Sequence, residues 1–110
     1  MAYTPDRGDL IWINFNPQVG HEQAGRRPAL VLSPQTYNSR IGLAIVCPVT
    51  NQVKGYPMEV RIPEGLDVTG VILADQVKSL AWRGRNAVFI CQLPRPVVQE
   101  AVNKLQTLIK

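Results

Sequence analysis

Residues 9–15 read Asp9-Leu10-Ile11-Trp12-Ile13-Asn14-Phe15, a run of branched and aromatic side chains with Gly8 before it and Pro17 after it. Such side chains fit a pleated surface and the flanking residues punctuate it, so the run is a strand. Residues 17–27 follow with two glycines, a proline, several polar side chains and no period. They form a loop of roughly ten residues, a length that in a small domain is often functional. Residues 28–33 (Pro28-Ala29-Leu30-Val31-Leu32-Ser33) are a short apolar run, a second and buried strand that Pro34 stops. Residues 35–40 make a turn or a single helical turn.

Further along, residues 41–49 are the most apolar segment, a core strand with Pro48 near its end where a ladder donor can be missed. A loop over residues 50–56 separates it from residues 57–62, where Met58, Val60 and Ile62 alternate with Glu59 and Arg61, the period of a half-exposed strand. A turn over 63–69 leads to two short strands, 70–74 and 77–82, on either side of Asp75-Gln76. The pattern assigns no element to residues 83–93. Beyond Pro94 and Pro96 the period changes: Val98, Ala101, Val102, Leu105, Leu108 and Ile109 form the stripe of an amphipathic helix that packs on the sheet. Several short strands with turns between them predict a mainly β fold, a small barrel closed so that edges are minimised, with a C-terminal helix. Internal repeats, linkers and low-complexity tracts are absent from the sequence.

At 110 residues the chain fits one domain, 1–110. With 45% hydrophobic and 18% charged residues it lies well inside the range of chains that fold. No apolar run is long enough to cross a bilayer and the first residues hold no apolar signal core, so the expected location is the cytoplasm, without membrane contact. In that reducing setting Cys47 and Cys91, both in apolar surroundings, are expected as buried free thiols. His21 is the only histidine and no Cys-x-x-Cys occurs, so no metal site and no cofactor is expected. Lys and Arg outnumber Asp and Glu by 12 to 8, and the net charge of +4 favours a polyanionic partner such as RNA or an acidic peptide.

Ser-His-Asp sets and phosphate-cradling Gly-x-x-x-x-Gly-Lys loops are missing, which leaves the cluster His21-Glu22-Gln23-Ala24-Gly25-Arg26-Arg27 as the leading site. RNA cleavage without a metal can use the substrate's own 2′-hydroxyl as nucleophile, and the protein then supplies a base, an acid and cationic stabilisation. Arg27, held at its base by Pro28, either grips phosphate oxygens in two-point fashion or makes a surface salt bridge. Glu22 is a general base, a group that orients Arg27, or a solvated carboxylate. His21 titrates near neutral pH and is a proton carrier or an exposed loop residue. Thr50 ends the most apolar strand and opens a loop holding Asn51, Gln52, Lys54 and Tyr56, a mixture suited to unpaired bases, although threonine also sits at strand ends for its β propensity. Lys78, Arg83 and Arg85 form a second basic patch near Trp82, itself a core residue or a stacking platform. Asp75-Gln76 either reads a base edge or is a plain turn.

These residues carry a resemblance to the MazF/PemK/Kid family of toxin ribonucleases. The matching stretches are Gly8-Asp9-Leu10-Ile11-Trp12, Asn16-Pro17, the loop from Gly20 through His21-Glu22-Gln23-Ala24-Gly25-Arg26-Arg27 to Pro28, Val46-Cys47-Pro48-Val49-Thr50, Lys54-Gly55-Tyr56-Pro57, Leu73-Ala74-Asp75-Gln76-Val77-Lys78-Ser79 and Trp82-Arg83. They cover nearly the whole length, and the Leu73–Ser79 heptad resembles the MazF branch. The resemblance implies an SH3-like barrel of the CcdB/PemK type, and a homodimer that cuts single-stranded mRNA at a short sequence. It also implies metal-independent chemistry leaving a 2′,3′-cyclic phosphate and a 5′-hydroxyl, with translation and growth arrested as a result. By motif position Arg27, Thr50 and Glu22 match the family's catalytic arginine, phosphate-contacting threonine and activity-linked glutamate. The RNA-binding set expected from the residues and the resemblance together is His21, Gln23, Asn51, Lys54, Asp75, Gln76 and Lys78. His21 matches a histidine of the Kid-like branch that MazF-branch members can lack, and Leu73 stands where that branch has an arginine, so the Kid-type acid–base set does not transfer whole. The implied partner is a MazE-like antitoxin whose disordered acidic tail covers the RNA groove. Two rivals remain on fold-level analogy: a barrel that binds without catalysis, and a subunit that poisons DNA gyrase.

Overall fold

The computed structural model of the chain describes residues 2–17, 20 and 23–110. Its elements run β1 (Asp9–Asn14), β2 (Arg26–Val31), α1 (Gln35–Ile41), β3 (Ala44–Thr50), β4 (Glu59–Arg61), β5 (Val71–Leu73), β6 (Lys78–Leu80), β7 (Val88–Gln92) and α2 (Arg95–Ile109). Every strand pair is antiparallel, in the order β4-β5-β3-β2-β1-β7, with β6 also on β3. The outer edge of β3 is therefore shared. Ala44, Ile45 and Val46 pair with β6, while Val49 and Thr50 pair with β5. Pro48, which has no N–H to offer, falls where that edge passes from one partner to the other.

The central strands β1, β2 and β3 are mainly apolar because both faces of the sheet are covered over most of their length. Leu10, Leu30, Cys47, Val49, Val60 and Ile72 point to one core, which α2 completes with Val98 and Ala101. Ile11, Ile13, Ala29, Val31, Val46, Leu80 and Trp82 point to a second core on the opposite face. Alternation is present, but apart from the exposed Trp12 both alternating sets are largely buried, so β1 and β3 read as continuous runs. Trp82 is thus a core residue, with the Arg83 guanidinium 4.6 Å from its ring centre.

Among the described residues the barrel is not closed by strand pairing, because β4 and β7, at the two ends of the ladder, do not pair with each other. The helix bridges them instead. It begins just after β7, where Leu93 N–H donates to Gly8 O, and reaches β4, where Lys104 Nζ donates to Glu59 O at 2.7 Å. Strand β7 lies in the stretch to which the sequence pattern assigned no element. Its edge position leaves Val88 and Phe89 about half exposed, so the burial contrast that marks a strand is weak there. The apolar segment expected as one strand over 41–49 begins later, because Ile41 ends α1 and the Gly42 N–H caps that helix on Asn38 O. Where a turn or a single helical turn was expected over residues 35–40, the chain forms the seven-residue helix Gln35–Ile41. On α2 the expected stripe holds through Leu105, but Leu108 and Ile109 extend past the sheet and are 56% and 73% exposed. None of the described helices is long and apolar enough to cross a membrane.

Both cysteines are free. Cys47 is buried and Cys91 only half-buried, a departure from the expected pair of buried thiols. Cys91, Leu10, Leu30 and Cys47 occupy one row across four neighbouring strands. At a strand spacing of ~4.8 Å the two Cα atoms stand about 14 Å apart, twice what a disulfide spans. Burial pushes the Cys47 thiol up to about 12, so it stays protonated and unreactive at neutral pH.

Asn38 ties α1 to the rest of the molecule. Fully buried, it donates from Nδ2 to Pro5 O at 2.8 Å and to Ser33 O at 3.0 Å, and its own carbonyl accepts from Trp82 Nε1 at 3.0 Å. Asn38→Ala strands two buried carbonyls and is expected to lower stability by about 2–3 kcal/mol in urea titrations. Asn38 lines neither of the clefts described next.

Candidate active site

Two open clefts meet at the end of β3. The first, about 360 Å³, is lined by Trp12, Arg26, Arg27, Thr50, Asn51 and Asp67 with their neighbours. The second, about 370 Å³, is lined by Gln23, Thr50, Gln52, Lys54, Tyr56, Glu59, Leu73 and Gln76. Thr50 belongs to both and forms the ridge between them.

Arg27 reaches the first cleft from β2, where its backbone pairs with Ile13. Its Nε donates to Ala24 O at 2.9 Å and its Nη1 to Val49 O at 3.2 Å. These carbonyls fix the guanidinium beside Thr50, since Val49 immediately precedes it. Among the described residues no carboxylate pairs with Arg27, so its charge and remaining N–H groups are available to an anion. The surface salt bridge allowed by the sequence is not what these residues make. Thr50 is buried apart from its edge, and its Oγ1 accepts from Gln52 N–H at 3.1 Å. That bond opens the loop after β3 and leaves the hydroxyl proton to donate outward.

Close packing brings Thr50 to this place. Gly70, just before β5, has φ +114°, and a Cβ there would lie 2.3 Å from Thr50 O and 2.9 Å from Asn51 Oδ1. Only glycine admits that approach. Beside it, Thr69 Oγ1 donates to Asn51 Oδ1 at 2.9 Å, fixing Asn51 at the rim of the first cleft.

The other expected residues divide. Gln23, Lys54 and Gln76 meet in the second cleft, and Gln23 N–H donates to Gln76 Oε1 at 3.2 Å, joining the long loop to the β5–β6 turn. Asp75 lies in that turn and reaches the cleft through Tyr56, whose hydroxyl donates to Asp75 Oδ1 at 2.7 Å. Burial, then the Asp75 carboxylate, pushes the Tyr56 hydroxyl above its ordinary range, so it stays a neutral donor. Lys78 sits in β6 opposite Val46 and lines neither cleft. Arg83 and Arg85, expected with it as a patch, turn to the protein instead: Arg83 covers Trp82, and Arg85 Nη1 donates to the carbonyls of Asn14 and Asn16. His21 and Glu22 lie outside the described residues. Among the described residues, no group of three or more His, Cys, Asp or Glu could hold a metal ion.

Two residues of the first cleft, Trp12 and Asp67, were not singled out from the sequence as members of the site. Trp12 is 39% exposed in the first cleft, although Ile11 and Ile13 beside it are fully buried. Alternation already put it on the face opposite Ile11 and Ile13, and that signal was available. Arg26, already part of the loop cluster, lines the same cleft and donates from Nη1 to Asn86 O at 2.8 Å, whereas Asp67 joins through tertiary packing alone.

A family model described as PemK-like, MazF-like toxin of type II toxin–antitoxin system matches residues 6–109. Among curated relatives, the endoribonuclease toxin MazF of Escherichia coli K12 is 58% identical over 85 residues, covering 77% of this chain and 76% of that protein. Among solved structures, crystalline MazF from Deinococcus radiodurans superposes with a TM-score of 0.96 at 54% identity, covering 98% of both chains. A MazE–MazF crystal from the same organism matches with a TM-score of 0.87 at 48% identity, over 98% of this chain and 97% of that one. With a family model spanning nearly the whole chain and relatives this similar over most of their length, the chain belongs to the PemK-like, MazF-like toxin family of type II toxin–antitoxin systems.

Proposed function

We propose that this endoribonuclease toxin cuts single-stranded mRNA at a short sequence, without a metal, by attack of a 2′-hydroxyl on the adjacent phosphodiester. The products are a 2′,3′-cyclic phosphate and a 5′-hydroxyl, and loss of message stops translation and growth. The observation that carries this reading is the Arg27–Thr50 pair: a guanidinium held by two carbonyls beside a hydroxyl whose proton is left to donate. Both groups are positioned before substrate arrives, which is where transition-state stabilisation of a phosphorane is most effective. Arg27 grips two phosphate oxygens as charge accumulates on them, and Thr50 donates to the same group. The 2′-hydroxyl proton leaves to a base while an acid returns one to the departing 5′ oxygen. Glu22, in the loop that ends at Arg27, is the residue we assign to these proton transfers.

RNA lies across both clefts, with His21, Gln23, Asn51, Lys54, Asp75, Gln76 and Lys78 contacting it and Trp12 offering an exposed ring for stacking. A cognate antitoxin of the MazE kind lays a disordered acidic tail over the same clefts. The net charge of +4 suits such a tail, and the Deinococcus radiodurans relative crystallises with its MazE. The toxin works in the cytoplasm, where mRNA is found, and as a homodimer. The dimer contact is the apolar groove of about 790 Å³ between α1 and α2, flanked by the exposed Tyr37, Ile41, Leu108 and Ile109. Ile109→Asp is expected to shift the protein from dimer to monomer in sedimentation velocity at micromolar concentration. An unchanged dimer places the contact elsewhere.

The chemistry is tested on an RNA carrying a single 2′-deoxynucleotide 5′ to the scissile phosphate. That bond should resist cleavage by at least 1,000-fold while neighbouring sites are cut, and cutting at the normal rate excludes attack by the 2′-hydroxyl.

A further inference from the structure

A carboxylate stands in the second cleft, where a polyanion is expected. Glu59 begins β4 opposite Leu73 and lines the cleft with Lys54, Tyr56 and Gln76. Simple electrostatics opposes an acid there, since it repels phosphate. Its bonding explains its presence. Oε2 accepts from Lys54 N–H and Oε1 from Gly55 N–H, each at 2.9 Å, and the Glu59 N–H donates to Tyr56 O at 3.1 Å. One residue thus holds three consecutive residues of the loop between β3 and β4. On the other side its carbonyl accepts from Lys104 Nζ of α2, and Lys104 also pairs with Glu100 at 3.3 Å. The loop that carries Lys54 and Tyr56 is therefore anchored, through Glu59, to the sheet and the C-terminal helix.

We propose that Glu59 is the positioning residue of the β3–β4 loop: its carboxylate, by accepting from Lys54 and Gly55 N–H, fixes the shape in which Lys54 and Tyr56 meet RNA and so sets which sequences are cut. The proposal rests on the RNA-cleaving reading of the same site. Both carboxylate oxygens are occupied by N–H groups of the loop, so the negative charge is largely neutralised by backbone dipoles. Without it two N–H groups at the loop's tightest point lose their acceptors, and the loop samples other shapes. Arg27 and Thr50 are untouched, because their fixing bonds run to Ala24, Val49 and Gln52.

The direction of the effect separates this role from a charge effect. If Glu59 merely repels phosphate, its removal tightens RNA binding; if it shapes the loop, removal weakens binding and relaxes selectivity. The experiment compares Glu59→Gln, Glu59→Ala and wild type on one long unstructured RNA, with Glu64→Gln as control for loss of one exposed carboxylate. The readouts are the map of cut sites, KM and kcat on the preferred site, and the melting temperature. Expected are a rise in KM of about tenfold for Glu59→Ala, kcat within about threefold of wild type, and new cuts at sequences one base away from the preferred one. Glu59→Gln keeps one acceptor oxygen and should fall between. Glu64→Gln should match wild type. An unchanged cut map with equal or lower KM in both Glu59 variants overturns the proposal. So does an equal loss of kcat and folded fraction in Glu59→Gln, which retains the shape of glutamate. If wild type itself makes no selective cuts, the function reading fails first and the two failures are told apart.

Discussion

Arg27→Ala is expected to lower kcat for RNA cleavage by roughly 100- to 1,000-fold, the usual loss when one preorganised donor to a developing oxyanion is removed. The protein should remain folded. Arg27 is only half-buried and its two bonds to carbonyls are part-buried, so its loss costs stability about 1–2 kcal/mol. Single-turnover kinetics on a short RNA separate the effects: the chemical step collapses while the dissociation constant rises far less, because the rest of the cleft still holds the strand. Arg27→Lys should recover only a small part. An ammonium carries the charge but cannot hold two carbonyls and grip two phosphate oxygens in one plane.

Gly70→Ala carries the second large effect, and it acts on Thr50 from behind. The added methyl meets Thr50 O at 2.3 Å and Asn51 Oδ1 at 2.9 Å, and the backbone at φ +114° is one that alanine avoids. Strain and overpacking together are expected to cost about 3–4 kcal/mol, a fall in Tm of about 10–20 °C for a domain of this size. What relieves the clash is movement of the β3 end, so kcat measured well below the new Tm should also fall, by about tenfold. Gly65→Ala is the comparison. Gly65 has φ +88° but nothing within 4 Å of its would-be Cβ, so that variant carries the backbone strain of about 1 kcal/mol without displacing Thr50. If Gly70→Ala keeps full kcat while folded, Thr50 placement does not depend on this approach.

These two residues mark the limit of what the sequence discloses. Arg27 was legible because its neighbours carry it: a long unpatterned loop ends in Arg-Arg-Pro and runs into an apolar strand. Thr50 was legible as the polar end of the most apolar run. Gly70 matters only because β5 packs against the end of β3, a contact between distant segments that no local pattern encodes. Trp12 and Glu59 are similar. Each sits in a strand with the expected alternation, but whether the outward face meets solvent or a cleft depends on loops folding over it. The strands buried on both faces and the amphipathic α2 followed from composition and period. Strand β7 did not, because an exposed edge weakens the burial pattern on which such a reading depends, although Val88-Phe89-Ile90 between Asn86 and Pro94 has strand composition. Barrel closure was expected through strand pairing, and α2 performs it instead, since Val98 and Ala101 can fill the gap between β7 and β4 without any backbone ladder.

The central claim, that Arg27 and Thr50 form a metal-independent ribonuclease centre, is tested most directly by incubating purified protein with a long unstructured RNA in EDTA and mapping the ends produced. Cuts confined to one short sequence, bearing 5′-hydroxyl ends and absent with Arg27→Ala, are the predicted result. Intact RNA, or the same cuts made by Arg27→Ala, would contradict the account and leave a barrel that binds without cleaving or acts on DNA gyrase.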